Sequence, residues 1–275
     1  MSSGAKRLTL KAEYYQQFDM DFACNVPAEG AGGWAQRDVT LSVDHTAVVV
    51  MHAWDTGTRE QFPGWHRVVE YIPRADRIVR EVFPPLLEAV RRSPLRLFHV
   101  VGGSSDYYTD LPGYRRTCEL DVPPPNRPAG VAPDETWDAI QQFRQKCVLP
   151  GLHNVADIDS GFRSVGFPPE ARPLDGEYIA STSEQLLAVC RATGVNHLVY
   201  IGFAINGCLV FSPAGMLDMS RYGLICSTLR QAVTAIENKE TARHELAKQI
   251  ALWQVSIMFG LVFDVDRFTT ALRNA

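Results

Sequence analysis

The stretch Gly194-Val-Asn-His-Leu-Val-Tyr-Ile-Gly-Phe-Ala-Ile-Asn-Gly-Cys208 decides how this 275-residue chain is read. Its apolar run at 197–201, set between glycines, has the character of a strand buried on both faces of a parallel sheet. A glycine-containing turn follows, and Cys208 opens a helix predicted over 208–222 and stopped by Gly223; Pro213 is tolerable only near its first turns. A thiol at a helix N-terminus feels the positive end of the macrodipole, which favours the thiolate. The unpaired N–H groups there can receive a developing oxyanion. No other cysteine has this setting: Cys190 and Cys226 fall inside a predicted helix and strand, and Cys24, Cys118 and Cys147 have no strand behind them. The same pattern also suits a small buried residue that merely closes a strand-to-helix turn.

Outward from this stretch, strands alternate with helices. Upstream, Thr46-Ala-Val-Val-Val-Met51 is a β-branched strand, followed by a helix over 74–92 that Pro84 and Pro85 should kink or split, and by a strand over 95–101 ending in Gly102-Gly-Ser-Ser105. Such a unit predicts parallel strands with a right-handed crossover. Residues 106–172 are rich in proline and read as an insertion with one short helix near 134–146, capped by Asp134 or Thr136. A short strand at 177–180, a helix over 183–193 stopped by Gly194, a strand over 224–229, a helix over 239–259 and a final strand and helix complete the chain. The expected architecture is α/β: a doubly wound, mostly parallel sheet with helices on both faces, a Rossmann-type three-layer sandwich. Residues 1–40 read as an N-terminal arm lying across a domain of residues 41–275.

Composition narrows the classes. Hydrophobic residues make up 46% and charged residues 21% of the chain, as in ordinary globular proteins. A net charge of -4 without a polybasic run gives no reason to expect nucleic acid as a partner. No apolar run reaches the roughly 18 residues of a membrane span. The polar first 11 residues lack a signal-peptide core, so a cytoplasmic protein is expected. The six cysteines form no CxxC pair, which speaks against a disulfide framework or a zinc site, and no cofactor is expected.

The 194–208 stretch resembles the isochorismatase-like cysteine hydrolases, in which a G-V-x-x-L-V-V-x-G strand runs into G-x-A-T-x-x-C. Thr46–Met51 is similar to that family's first strand, T-A-L-L-V-I, and Arg221-Tyr-Gly223 with Gln231-Ala-Val-Thr-Ala235 follow in the family's order. The likeness covers about 46–101 and 177–272. It implies a hydrolase of amides or related C–N bonds working through an Asp-Lys-Cys triad, with Cys208 as nucleophile and the Ala204 and Cys208 N–H groups as oxyanion hole. It further implies a cis peptide bond near Phe203-Ala204 and a homo-oligomer, a dimer or tetramer.

The other two triad positions depart from the pattern. His52 stands where the Asp should be, and the next acid, Asp55, comes three residues later. Ser181 or Thr182 occupies the place of the Lys, and no lysine occurs between Lys146 and Lys239. One reading makes His52 the base toward Cys208, oriented by Asp55 or Asp106. Trp54, Ser104, Asp106, Ser181, Thr182, Phe203 and Ile205 would then line the pocket of a small-molecule substrate. The other reading is a degenerate site that only binds a ligand or serves assembly. A vinyl-ether hydrolase, which rests on the Asp alone, fits His52 least. Trp54, Phe62 and Trp65 suit either a wall for a planar substrate or ordinary packing. His66 reads as a surface histidine because no Asp-x-His spacing surrounds it, and His99 as a hydrogen-bonded core residue.

Overall fold

The computed structural model describes residues 6–103, 105–125 and 130–274. The chain opens with β1 (Arg7–Gln16) and β2 (Gly33–Ser42), antiparallel in full register from Arg7 opposite Ser42 to Gln16 opposite Gly33. The segment expected as an arm therefore contributes two strands to the sheet. Alternation in β1 explains it: Leu8, Leu10 and Ala12 point inward while their neighbours face solvent. The next elements are β3 (Thr46–Met51), α1 (Pro63–Val68), α2 (Ile72–Glu81), α3 (Phe83–Arg92) and β4 (Arg96–Val100). The predicted kink is a complete break between α2 and α3, and the paired prolines sit in the first turn of α3, where a missing N–H costs nothing.

The insertion is more ordered than its prolines imply. It holds α4 (Pro112–Cys118), α5 (Glu135–Cys147) and α6 (Val155–Ser164), where the sequence supports one helix only. Asp134 caps α5 by accepting from the Trp137 N–H. Then come β5 (Tyr178–Ala180), α7 (Ser183–Thr193), β6 (His197–Phe203), α8 (Cys208–Phe211), α9 (Met216–Arg221), β7 (Ile225–Thr234), α10 (Leu246–Met258), β8 (Val262–Phe263) and α11 (Val265–Arg273). The helix expected over 208–222 is two short ones. Ser212-Pro213 ends the first and Ala214 takes a left-handed φ of 63°, so no continuous dipole stands behind Cys208.

The eight strands run in the order β2-β1-β8-β7-β6-β3-β4-β5. From β8 to β5 every pair is parallel, and only the β1 and β2 edge is antiparallel. In β3, Val48 and Val50 enter the apolar layer of α2 and α3, whereas Ala47, Val49 and Met51 enter that of α7 and α10. Helices thus cover both faces of a doubly wound sheet. The strand order reverses between β3 and β6, and in open α/β sheets the crevice beyond such a reversal is where ligands bind.

Candidate active site

Two backbone features bring His52 and Cys208 to that crevice. Gly202, near the end of β6, has φ 122°, and a Cβ there would lie 1.9 Å from the Met51 carbonyl oxygen, so only glycine permits this approach of β6 to β3. His52 follows Met51 with φ 51° and donates its backbone N–H to the Val100 carbonyl at 3.1 Å. Beyond Gly202 the Phe203–Ala204 peptide bond is cis. The turn is pinned to the end of β7. Ile205 donates to Thr234, and the Asn206 side chain both donates to the Ile236 carbonyl and accepts its N–H, each at 2.8 Å. Among the described residues the N–H groups of Ala204 and Cys208 donate to no acceptor.

His52 and Cys208 line one cavity of about 130 Å³. Its walls are mainly apolar, built by Trp54 and Phe203 from the strand ends, Trp65 of α1, α2, and Phe162 of α6. The imidazole of His52 stacks on Trp54 with centroids 4.7 Å apart. Phe162 packs on Trp65 at 5.1 Å and edge-on to Trp54 at 5.7 Å. The insertion thus supplies one wall of the cavity through Phe162. It is held there by the Asp157 carboxylate, which accepts from the Trp65 N–H at 2.8 Å, and by Gly161, where any Cβ would overlap the Trp65 ring.

Burial holds the His52 imidazole at a pKa of about 4, against a backbone hydrogen bond at Val101 that works the other way. The ring is therefore neutral at pH 7, and its buried Nδ1 has no hydrogen-bond partner. Among the described residues no hydrogen bond joins it to the Cys208 sulfur. Burial raises the Tyr71 hydroxyl, with the Cys208 charge adding to the effect. Burial also raises the Asp76 carboxyl, opposed by Arg80 and His66.

The remaining residues scatter. Asp55 is exposed; its carboxylate accepts from the Gly57 N–H at 3.0 Å, so it closes a turn rather than meeting His52. Asp106 is exposed in a turn closed by Thr109. Ser181 donates to Gln185, and Thr182 caps α7 by accepting the Gln185 N–H, so both serve that helix and neither lines the cavity. Ile205 is fully buried in the α7 and α10 layer. Ser104 lies outside the described residues. His66 does not line the cavity, although its buried Nε2 lacks a partner. His99 is a core residue whose Nε2 meets Glu177 at 2.8 Å. Sequence reasoning missed Tyr71, Asp76 and Phe162. For Asp76 a signal existed: it shares the inward stripe of α2 with Ile72, Ala75 and Val79, an unusual place for an acid. Phe162, inside a segment without periodic support, gave none.

No protein-family model matches the chain. A curated relative, ureidoacrylate amidohydrolase RutB of Serratia proteamaculans, is 27% identical over 95 residues, so the chain spans about a third of its length: 34% of this chain and 35% of that protein. Among solved structures, a cysteine hydrolase from Pseudomonas syringae pv. phaseolicola is 14% identical with a TM-score of 0.48, covering 85% of this chain and 95% of that one. An isochorismatase family protein from Burkholderia thailandensis is 15% identical with a TM-score of 0.46, covering 84% and 96%. N-carbamoylsarcosine amidase from Thermoplasma acidophilum is 18% identical with a TM-score of 0.40, covering 80% and 96%. The proteins that this chain resembles are the isochorismatase-like cysteine hydrolases.

Proposed function

We propose that this protein hydrolyses a C–N bond of a small amide through Cys208, with His52 as proton acceptor. The observation that carries the reading is the pairing of the two residues on one cavity at the sheet's switch point, where His52 offers a neutral ring with an unpartnered Nδ1. In this scheme Nδ1 takes the thiol proton and the sulfur bonds to the substrate carbonyl carbon. The free N–H groups of Ala204 and Cys208 receive the oxyanion. The imidazolium returns the proton to the leaving nitrogen as the C–N bond breaks. Water then attacks the thioester, gives a proton to His52, and the carboxylic acid and thiol are regenerated. Asp55 has no place in the scheme, because its carboxylate belongs to a turn. The segment shared with an amidohydrolase supports the C–N reading.

A second reading, a pocket that binds without turnover, is favoured by one observation: no hydrogen bond links His52 to Cys208 among the described residues. Ammonia release from a panel of small amides, compared between wild type and Cys208→Ala, separates the two. Hydrolysis that is abolished in the variant is the expected result. Activity that survives the substitution removes Cys208 from the mechanism, and no release from any amide favours the binding pocket. No described helix is long and apolar enough to cross a membrane. A cytoplasmic location belongs to the same proposal, supported by six unpaired cysteines.

A further inference from the structure

We infer that the Cys208 cavity selects compact, uncharged amides and rejects substrates that carry a carboxylate. The inference rests on the hydrolase reading for its chemistry, but the selectivity is a property of the cavity alone. At about 130 Å³ the cavity is close in size to the engineered apolar void of about 150 Å³ that takes benzene, so an acyl group of about six heavy atoms fills it. Trp54, Trp65, Phe162 and Val79 among its walls offer hydrocarbon contact and no ionic partner for a charge.

Ionic complementarity points the same way. Among the described residues no lysine or arginine lines the cavity, and its one acidic side chain is Asp76. Of the guanidinium groups on α2, Arg80 acts on Asp76 without lining the space, and Arg74 is committed elsewhere, to Glu70, the Thr234 hydroxyl and the Ala235 carbonyl. A carboxylate entering here would lose its hydration, find no cation and face another carboxyl group. A neutral amide meets no such charge, and Thr56 and His52, whose buried Oγ1 and Nδ1 atoms lack partners, are both lining residues. Two unmet polar atoms within an apolar enclosure fit one compact polar head on an apolar body.

The test uses two alkylating probes of nearly equal size, iodoacetamide and iodoacetate, on the intact protein. The labelling rate of each cysteine is read by peptide mass spectrometry. Exposed Cys118 and Cys147 supply the intrinsic reactivity ratio of the reagents within the same chain. At Cys208 the preference for iodoacetamide should exceed that internal ratio by about tenfold or more, and Asp76→Asn should accelerate iodoacetate there. A Cys208 ratio equal to that of the exposed cysteines overturns the inference, and the wild-type comparison suffices if the variant does not fold. The hydrolase reading is scored separately by ammonia release. Selective labelling without turnover would sink that reading alone, and turnover with unselective labelling would sink this inference alone.

Discussion

At Gly202 the backbone turns to φ 122° where β6 passes the Met51 carbonyl, and the next residues carry Cys208 to the cavity. A methyl group at this position has no free volume and an unfavourable φ, so Gly202→Ala should cost about 3 kcal/mol or more, read as a lowered urea midpoint. The damage should reach the site as well, because Met51 leads directly into His52. A variant as stable as wild type would mean that the two strands separate easily there. His52 itself shows how a residue departs from sequence expectation. Its identity marks it as a possible base, yet its lowered pKa, its stacking on Trp54 and its unpartnered Nδ1 come from the fold around it.

Elements with strong periodicity or punctuation were legible from sequence. The strand Thr46–Met51 and the helix closed by Gly194 match to the residue, because a continuous β-branched run and a left-handed glycine stop leave few alternatives. The β1 and β2 ribbon was not legible, since β1 alternates over only a few residues, β2 is largely exposed, and the β8 strand that ties the ribbon to the sheet lies near the other end of the chain. The order within the insertion is hidden in the sequence for a similar reason: α6 is held by contacts with α1, over 80 residues away in the chain, as in the Asp157 bond to Trp65. Its neighbour α5 presents a different case. None of its residues is buried, although Trp137, Ile140 and Phe143 lie along it, and 13 residues are barely enough for a stable isolated helix. Glu135 and Asp138 stand in its first turn, Arg144 and Lys146 in its last. An antiparallel pairing of α5 with that of a second copy would cover the apolar stripe and set acid against base at both ends. We therefore expect a dimer by light scattering that Phe143→Glu converts to monomer. A wild-type monomer at tens of micromolar would remove α5 as an interface.

For the whole molecule, buried titratable groups set the response to acid. Burial holds His52 and His197 at about 4, against about 6.5 in an unfolded chain. Between those values the folded protein keeps both rings neutral while the unfolded chain protonates them, so stability falls as the pH drops from about 6.5 to 4. Each ring removes on the order of 3 kcal/mol over that window. Glu177 extends the loss. Burial opposes its ionisation, yet hydrogen bonds from His99, Arg91 and the Leu174 N–H hold it near 2, so its contribution is present above about 4.5 and fades below. Thermal unfolding followed from pH 8 to pH 4 should show a midpoint that falls steeply below 6.5. A flat profile would mean that the histidines are solvated.

The central claim is that Cys208 becomes acylated during turnover. Rapid quenching of the protein with a turned-over amide, followed by mass spectrometry of the Cys208 peptide, tests it directly. The account predicts a gain equal to the substrate minus its amine, removable by hydroxylamine and formed at least about 100-fold more slowly in His52→Ala. Turnover with an unmodified Cys208 peptide, and at an undiminished rate in Cys208→Ala, would contradict it.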